Sequence, residues 1–407
     1  MPDAAPQLPG ASFCGSLPAP KVAFNAITFS ADGFVRDLVK WFGVAQRDLP
    51  WRREENARDP YRIVVSEFML QQTTVAAVIP FYHRFLARFP TIESLAAATF
   101  EEVLPLWAGL GYYSRARNLH ALAGVVMEKH GGVFPRDFSS VLALPGVGRY
   151  TAGAVTSIAF DLKTPIVDAN VARVFARVFC LQGDLKNKEN QAHLWQRATE
   201  IVESCDDENP PSQLNPALME LGALVCTPRA PQCQKCPVAE FCVARTQGRQ
   251  NELPHVAARR ETVELRDACV LCKSTPGFGR TFLRRRARDA KIWWRGMWEL
   301  PRVTARDGES TSEAAARMLR EEFGLTSFQI GAKLQTVTHG VTHHRITLDC
   351  FLVEADLPAK EDRGWFTFED IENLALPSTM RALLKKIGAQ DESAARETVQ
   401  PSLWSEE

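Results

Sequence analysis

The chain has 407 residues, carries 48 Lys and Arg against 48 Asp and Glu, and is 45% hydrophobic. That length exceeds one ordinary domain, so two are expected. Residues 1–250 hold 25 basic and 24 acidic side chains, which excludes a chain that binds nucleic acid through bulk positive charge; a local face or backbone donors would have to serve instead. No apolar run approaches the roughly 18 residues of a membrane-spanning helix, so no membrane partner is expected. Residues 1–30 are poor in charge, rich in Pro, Ala and Gly, and have no basic segment ahead of an apolar core. They read as a flexible tail rather than a signal peptide.

Residues 31–242 read as almost wholly helical. Phe34, Leu38, Trp41 and Phe42 form a helical stripe, and Ile63–Gln72, Val75–Phe89, Phe100–Trp107, Ala116–His130 and Thr151–Phe160 continue the pattern. Gly109, Gly111, Gly131-Gly132 and Pro145-Gly146 separate them. The polar stretch 245–262 has no periodicity and reads as a linker. Beyond it, Thr262–Lys273 and Arg280–Arg286 are strand-like around a candidate GFG turn at 277–279. A helix at Ser312–Phe323, strands in Val337–Glu354 and a closing helix at Thr379–Ile387 complete an α+β domain over 263–388. Residues 389–407 read as a polar tail.

Four of the ten cysteines, Cys226, Cys233, Cys236 and Cys242, lie within 17 residues. In a reducing compartment such a group holds metal rather than disulfides. Four thiolates suit an iron–sulfur cluster, and structural zinc is the competing reading. Cys269 and Cys272 have no partner pair and read as core cysteines.

Three further segments carry chemistry. Leu144–Ala154 reads LPGVGRYTAGA. Gly146 and Gly148 allow close backbone approach, and the amides there and at Arg149 can face a phosphate; a plain helix–helix connection would look similar. In SEFMLQQTT, Glu67 stands among Ile63, Val64, Val65, Phe68, Met69 and Leu70. Such surroundings raise a carboxyl's pKa toward that of a general acid, unless the residue lies on the helix surface. Gln71, Gln72, Tyr112, Tyr113, Arg115 and Arg117 offer polar and aromatic groups for a nucleic-acid face. In TPIVDANVARV, Asp168 is either an N-cap or the second carboxylate of an acid/anion pair.

SEFMLQQT, LWAGLGYYSRARNLH, LPGVGRYTAGA, PIVDANV and the four cysteines, in that order, resemble the adenine DNA glycosylases of the MutY type over about residues 35–245. The resemblance implies a mainly α, two-lobed helix-hairpin-helix glycosylase domain over 31–244 with a 4Fe-4S cluster on the four cysteines. It implies excision of adenine mispaired with 8-oxoguanine or guanine in double-stranded DNA, within base excision repair. Glu67 would protonate the leaving base, Asp168 would stabilise an oxocarbenium ion, and Asn170 would position them. Gln72 and Tyr112 would wedge into the duplex, and Trp51 and Arg52 would form part of the adenine pocket. Tyr150 stands where lyases of the superfamily carry their Schiff-base lysine, so the resemblance implies a monofunctional enzyme rather than a lyase. A thymine mismatch glycosylase and a non-enzymatic iron–sulfur DNA-binding protein are the competing functions. A monomer is expected, in the cytoplasm of a bacterium or the nucleus or mitochondrion of a eukaryote.

Residues 263–388 resemble the Nudix-like domain with which such enzymes inspect 8-oxoguanine, through Trp293, Trp294 and Gly296–Pro301. The helix that would bind metal in a Nudix hydrolase reads RMLREEFGL, with Met318 in place of a Glu, so pyrophosphohydrolase activity is not expected. Two departures stand out. The lesion-sensing run, commonly Phe-Ser-His, is Val341-Thr342-His343, with Thr342 and His343 as the contacts expected to remain. The Gln or Glu expected near the adenine is Pro216, which has no side-chain donor or acceptor.

Overall fold

The computed structural model describes residues 29–53, 56–255, 261–273, 280–287, 293–355 and 357–397. The amino-terminal half is helical and folds around two separate cores. The first core gathers α2 (Pro60–Leu70), α3 (Val75–Arg88), α4 (Ile92–Ala97), α5 (Phe100–Trp107), α6 (Ser114–His130), α7 (Phe138–Leu142) and the start of α8 (Arg149–Phe160) around Phe68, Phe85, Trp107 and Leu119. The second joins α1 (Ala31–Ala45) to α9 (Ala169–Val178), α10 (Lys188–Glu203) and α11 (Pro211–Leu224) around Phe34, Leu38, Phe175 and Leu218. The helices start where short polar side chains can take the first free amides: Ser30, Asp59, Asp137, Asp168 and Asn187 each accept from the turn that follows. The chain passes between the lobes at α8, so residues at its beginning face both.

The segment after the cysteines corrects the linker expectation. Residues 243–246 form a short helix, α12 (Val243–Thr246). Leu253 is buried, and its carbonyl accepts from Arg177 Nε at 2.8 Å. One apolar side chain anchors a polar stretch, which leaves no period in the sequence.

Among the described residues the second half is a seven-stranded sheet with helices on both faces. Its strands are β1 (Val263–Lys273), β2 (Arg280–Arg285), β3 (Trp298–Glu299), β4 (Arg302–Thr304), β5 (Gln329–Val341), β6 (His344–Glu354) and β7 (Arg363–Thr367), with the path β3-β2-β1-β6-β5. β1 runs parallel to β6 from Val263↔His344 to Lys273↔Glu354. The period of two along β1 sends Ala268, Val270 and Cys272 to α13 (Thr311–Phe323), and Cys269 and Leu271 to α15 (Ser378–Glu397). A further short helix, α14 (Phe368–Asn373), precedes α15. Cys269 and Cys272 are therefore core residues on opposite faces. The backbone of α15 continues to Glu397, past the tail boundary expected at 389. The GFG turn lies outside the described residues, as do residues 1–28 of the amino-terminal tail. The sheet domain is joined to the first lobe: Met297 and Ala375 belong to that lobe's core, and Arg285 pairs with Glu101 at 3.0 Å.

Candidate active site

A cavity of about 1240 Å³ opens between the two lobes, and Glu67, Tyr150, Asp168 and Asn170 all line it. Each comes from a different constraint. Glu67 sits on α2, whose apolar run packs the first core on every side, so the carboxyl is only 7% exposed. Burial pushes its pKa up to about 7; the nearby Asp168 adds to the rise, while the Tyr150 hydroxyl and Arg52 oppose it. The surface-Glu alternative is excluded by that burial.

Asp168 caps α9, so both alternatives for it hold at once. Its Oδ1 accepts from the Val171 amide at 2.7 Å and its Oδ2 from Asn170 Nδ2 at 2.9 Å. Burial raises its pKa, and these bonds to the ionised form work against the rise. Tyr150 stays neutral: burial, then the charges of Glu67 and Asp168, lift its pKa well above the usual value. Its hydroxyl contacts Met219 Sδ at 3.1 Å and also acts on Glu67 as a donor. One proton cannot serve both. A carboxylate is far the better acceptor, so the proton goes to Glu67 when that group ionises.

Asn170 is held on its other side. Its Oδ1 accepts from Arg173 Nη2 at 2.8 Å, and the same guanidinium donates to the carbonyls of Gly222 and Cys226 at 2.7 and 2.8 Å. A Cβ on Gly222 would lie 2.5 Å from Asn170 Cβ, so only glycine lets α11 come this close. Trp51 and Arg52 line the same cavity. Trp51 packs edge-on against Tyr82, and Arg52 Nη2 is held by Glu220 at 2.9 Å. Glu220 also takes Arg47 through Nε and Nη2, and these two arginines outweigh its burial and lower its pKa to about 2.

The residues expected to meet DNA divide. Gln72 and Tyr112 are exposed and hold left-handed backbone, with φ of 57° and 48°. So does Thr342, with φ of 56°, at the two-residue turn between β5 and β6. Such conformations are uncommon without glycine and persist where structure over-determines them, often at functional sites. Gln71 is half-buried, and its carbonyl accepts from Arg115 Nη1. His343 packs against His344 beside Thr342. Gly146 (φ 74°) is needed because a Cβ there would strike Asn118 at 2.5 Å. Gly148 is different: it is extended, caps α8 without a side chain and faces open space. The first amides of α8 are thus left for an anion. Arg149 is exposed and stacks over Trp195.

One arginine expected on the nucleic-acid face is elsewhere. Arg115 is buried and donates to the carbonyls of Phe68, Met69, Gln71, Leu110 and Gly111 and to Thr73 Oγ1. It ties the end of the Glu67 helix to the loops bearing Gln72 and Tyr112. Arg117 stacks on Phe100, and Tyr113 is buried.

Cys226, Cys233, Cys236 and Cys242 line one pocket. Burial, reinforced by the other sulfurs, pushes Cys236 up to about 12 and Cys242 to about 11. Burial thus disfavours bare thiolates at these two positions unless metal shares their charge. Among the described residues no three ligating side chains converge on a single-ion site. Four cysteines on one pocket are a donor set that an iron–sulfur cluster takes. Arg177, fully buried, donates to Cys226 Sγ at 3.2 Å and to the carbonyls of Thr227 and Pro228. Sequence reasoning missed Arg173, Arg177 and Gly222. The i, i+4 spacing of the two arginines on α9 was the available signal.

In the sheet domain, Met318 is buried in the core. Glu322 accepts from Arg284, and Glu321 faces Arg306 and Arg317 at 3.9 and 3.7 Å.

Comparison with known proteins defines the class first. Residues 65–200 match the HhH-GPD superfamily base excision DNA repair protein, residues 226–242 match the iron–sulfur binding domain of endonuclease III, and residues 270–386 match the NUDIX domain. The molecule is a base excision repair DNA glycosylase carrying a 4Fe-4S cluster and a Nudix-like domain. The chain is 35% identical to the adenine DNA glycosylase of Rattus norvegicus over 91% of its own length and 81% of the relative's, and 46% identical to that of Homo sapiens over 54% and 41%. A solved thermostable thymine-DNA glycosylase overlays 53% of this chain and 97% of its own at a TM-score of 0.47, with 33% identity. The chain belongs to the adenine DNA glycosylases. Among the described residues no helix is long and apolar enough to cross a membrane.

Proposed function

We propose that the chain acts as a monomer and releases adenine paired with 8-oxoguanine, or with guanine, without cutting the strand. The observation that carries the reading is the pair of unlike carboxyls in one cavity: Glu67, buried so that its pKa rises to about 7, and Asp168, held by donors that favour its anion. A flipped adenine leaves poorly as an anion. Glu67 gives a proton to a ring nitrogen as the glycosidic bond lengthens, a step worth about 10²–10⁴-fold. The sugar then carries positive charge, and Asp168, fixed at Oδ2 by Asn170 and at Oδ1 by the Val171 amide, stabilises it without reorganising. Tyr150 supplies a phenol and no amine, so no Schiff base forms; water adds at the sugar C1′ and releases a proton, and the product is an abasic site. Gln72 and Tyr112 support the opened duplex, and flipping costs a few kcal/mol. Gly146, Gly148 and Arg149 offer backbone donors and charge to a phosphate. Thr342 and His343 are the candidate contacts to the lesion strand.

Cys226, Cys233, Cys236 and Cys242 would hold the cluster, which when bound supplies charge-sharing iron that cross-links the 226–242 loop beside Arg173 and Arg177. The test is incubation with duplexes holding A opposite 8-oxoguanine, A opposite G, T opposite G and thymine glycol. Adenine release visible as strand breaks only after alkali supports the reading. Breaks without alkali, or trapping by borohydride, would overturn it. Tyr150→Lys is expected to introduce such trapping.

A further inference from the structure

The tryptophan- and glycine-rich turn of the sheet domain lies outside the adenine cavity, yet it is held more firmly than a surface loop requires. Trp294 has left-handed backbone, with φ of 62°. A bulky residue keeps that conformation only where its surroundings over-determine it. The Trp294 carbonyl accepts from the Met297 amide at 3.1 Å, and Gly296 N–H and Met297 C=O both pair with the Arg286 backbone at 2.9 Å. The turn is therefore fastened beside the end of β2. Three side chains enclose its indole: Arg302 and Arg286 stand 4.9 and 5.6 Å from the ring centroid, and the His339 ring lies at 5.8 Å.

The two ends of the turn meet different parts of the molecule. Met297 is buried in the core of the first lobe, whose helix α2 carries Glu67, and Trp294 packs against that core. At the other end, Trp293 lies edge-on to Trp294 at 5.9 Å and edge-on to His344 at 4.9 Å. His344 opens β6. Its ring is 4.0 Å from that of His343, and its Nδ1 is 3.3 Å from Thr342 Oγ1. Packed side chains thus run from the Glu67 lobe through Trp294, Trp293 and His344 to the turn between β5 and β6.

We propose that Trp293 is a positioning residue for lesion discrimination: through His344 it braces the Thr342–His343 turn and fixes its distance from the adenine cavity. This rests on the reading that Thr342 and His343 meet the lesion strand. Thr342 is exposed at the tip of its hairpin, so the turn needs a brace from outside its own strands. One mispair offers its two bases at a set spacing, and a protein that grips both must hold its two contacts at that spacing, since a small misplacement is costly. An indole suits the task because it is large and has only two side-chain torsions to restrain.

The test uses the full-length, cluster-loaded protein in single-turnover adenine release, on duplexes with A opposite 8-oxoguanine and A opposite G. Trp293→Ala is expected to shrink the preference for 8-oxoguanine about 3- to 10-fold, the scale of one aromatic pair, with release opposite guanine within about twofold of the unaltered protein. Trp293→Phe keeps a ring for His344 and is expected to restore most of the preference. His344→Ala should shrink it by a similar factor, and the double variant by no more than either alone. General damage to the fold would slow both duplexes together and leave their ratio unchanged. That outcome overturns the proposal, as does a preference that survives Trp293→Ala or losses that add in the double variant. An unaltered protein that treats the two duplexes alike would instead overturn the lesion-contact reading, and the proposal with it.

Discussion

Two regions of the molecule hold clustered carboxylates and put them to opposite ends. Between the helical lobes, Glu67 is buried beside a phenol and a second acid, and its pKa rises to about 7. On the sheet domain, Glu299 is gripped by Arg286 at 2.9 and 3.0 Å, Asp267 by Arg302 at 2.6 Å, and Glu322 by Arg284. Burial alone does not separate them, since Glu299 is as buried as Glu67. The partner does: arginines hydrogen-bond Glu299, Asp267 and Glu322 directly, whereas no guanidinium is hydrogen-bonded to Glu67, whose burial outweighs the opposing Tyr150 hydroxyl and the more distant charge of Arg52. Glu220 makes the same point inside the active cavity, where two arginines hold it near 2.

The sharpest way to break the contrast is at Glu67. Glu67→Gln removes the proton and is expected to slow adenine release about 10²–10⁴-fold while mismatch binding survives; a single-turnover assay beside a gel shift decides it. The unaltered enzyme carries the matching pH signature. Because the acid form does the work and its pKa is raised to about 7, kcat/KM falls about tenfold per unit above that pH, and it falls again at low pH as Asp168, whose own pKa is raised by burial, takes up a proton. The same shift bears on stability: a carboxyl that binds its proton more tightly folded than unfolded stabilises the fold at low pH, and that contribution is lost as pH rises from the unfolded value, 4.5, through 7. A rate that climbs with pH above 7 would remove Glu67 from the acid role.

The next largest effect concerns the anion. Gly222→Ala places a methyl where Asn170 Cβ stands, 2.5 Å away, and so pushes Asn170 off Asp168. About 10- to 100-fold of the rate is expected to go, the scale of a misplacement near 1 Å. The pH midpoint set by Glu67 should stay put, which separates this loss from damage to the acid. Arg115 comes third. Arg115→Ala strands the carbonyls of Phe68, Met69, Gln71, Leu110 and Gly111. It is expected to cost about 3 kcal/mol in chemical denaturation, with weaker DNA binding as the Gln72 and Tyr112 loops come loose.

What the sequence made legible follows from distance along the chain. Glu67, the Gly146–Tyr150 turn and Asp168 each sit in a contiguous run whose local pattern states its role, and the helices of both lobes follow from their apolar period. Arg115 was misplaced because an arginine beside two tyrosines looks alike whether it faces DNA or a ring of carbonyls. Its acceptors lie up to 47 positions away. Arg173 and Gly222 act across 49 positions, and a lone Leu253 turned an apparent linker into part of the fold. The left-handed backbone at Gln72, Tyr112 and Thr342 had no signal at all, since no glycine or asparagine marks it.

The smallest expected effect tests the other side of the comparison. Arg284, 18% exposed, binds Glu322 and also reaches Glu299 at 3.4 Å. Where a Nudix hydrolase gathers carboxylates around Mg²⁺, this helix spends Glu322 on an arginine and buries Met318. Glu322→Gln should therefore leave adenine release within twofold and cost at most about 1 kcal/mol of stability, as for a partly exposed pair. The informative assay is Mg²⁺-dependent hydrolysis of nucleoside diphosphate derivatives by the unaltered protein. Absence of turnover is expected. Turnover that disappears in Glu322→Gln would show that the arginine releases its partner when metal arrives, and the division between locked and working carboxylates would fall.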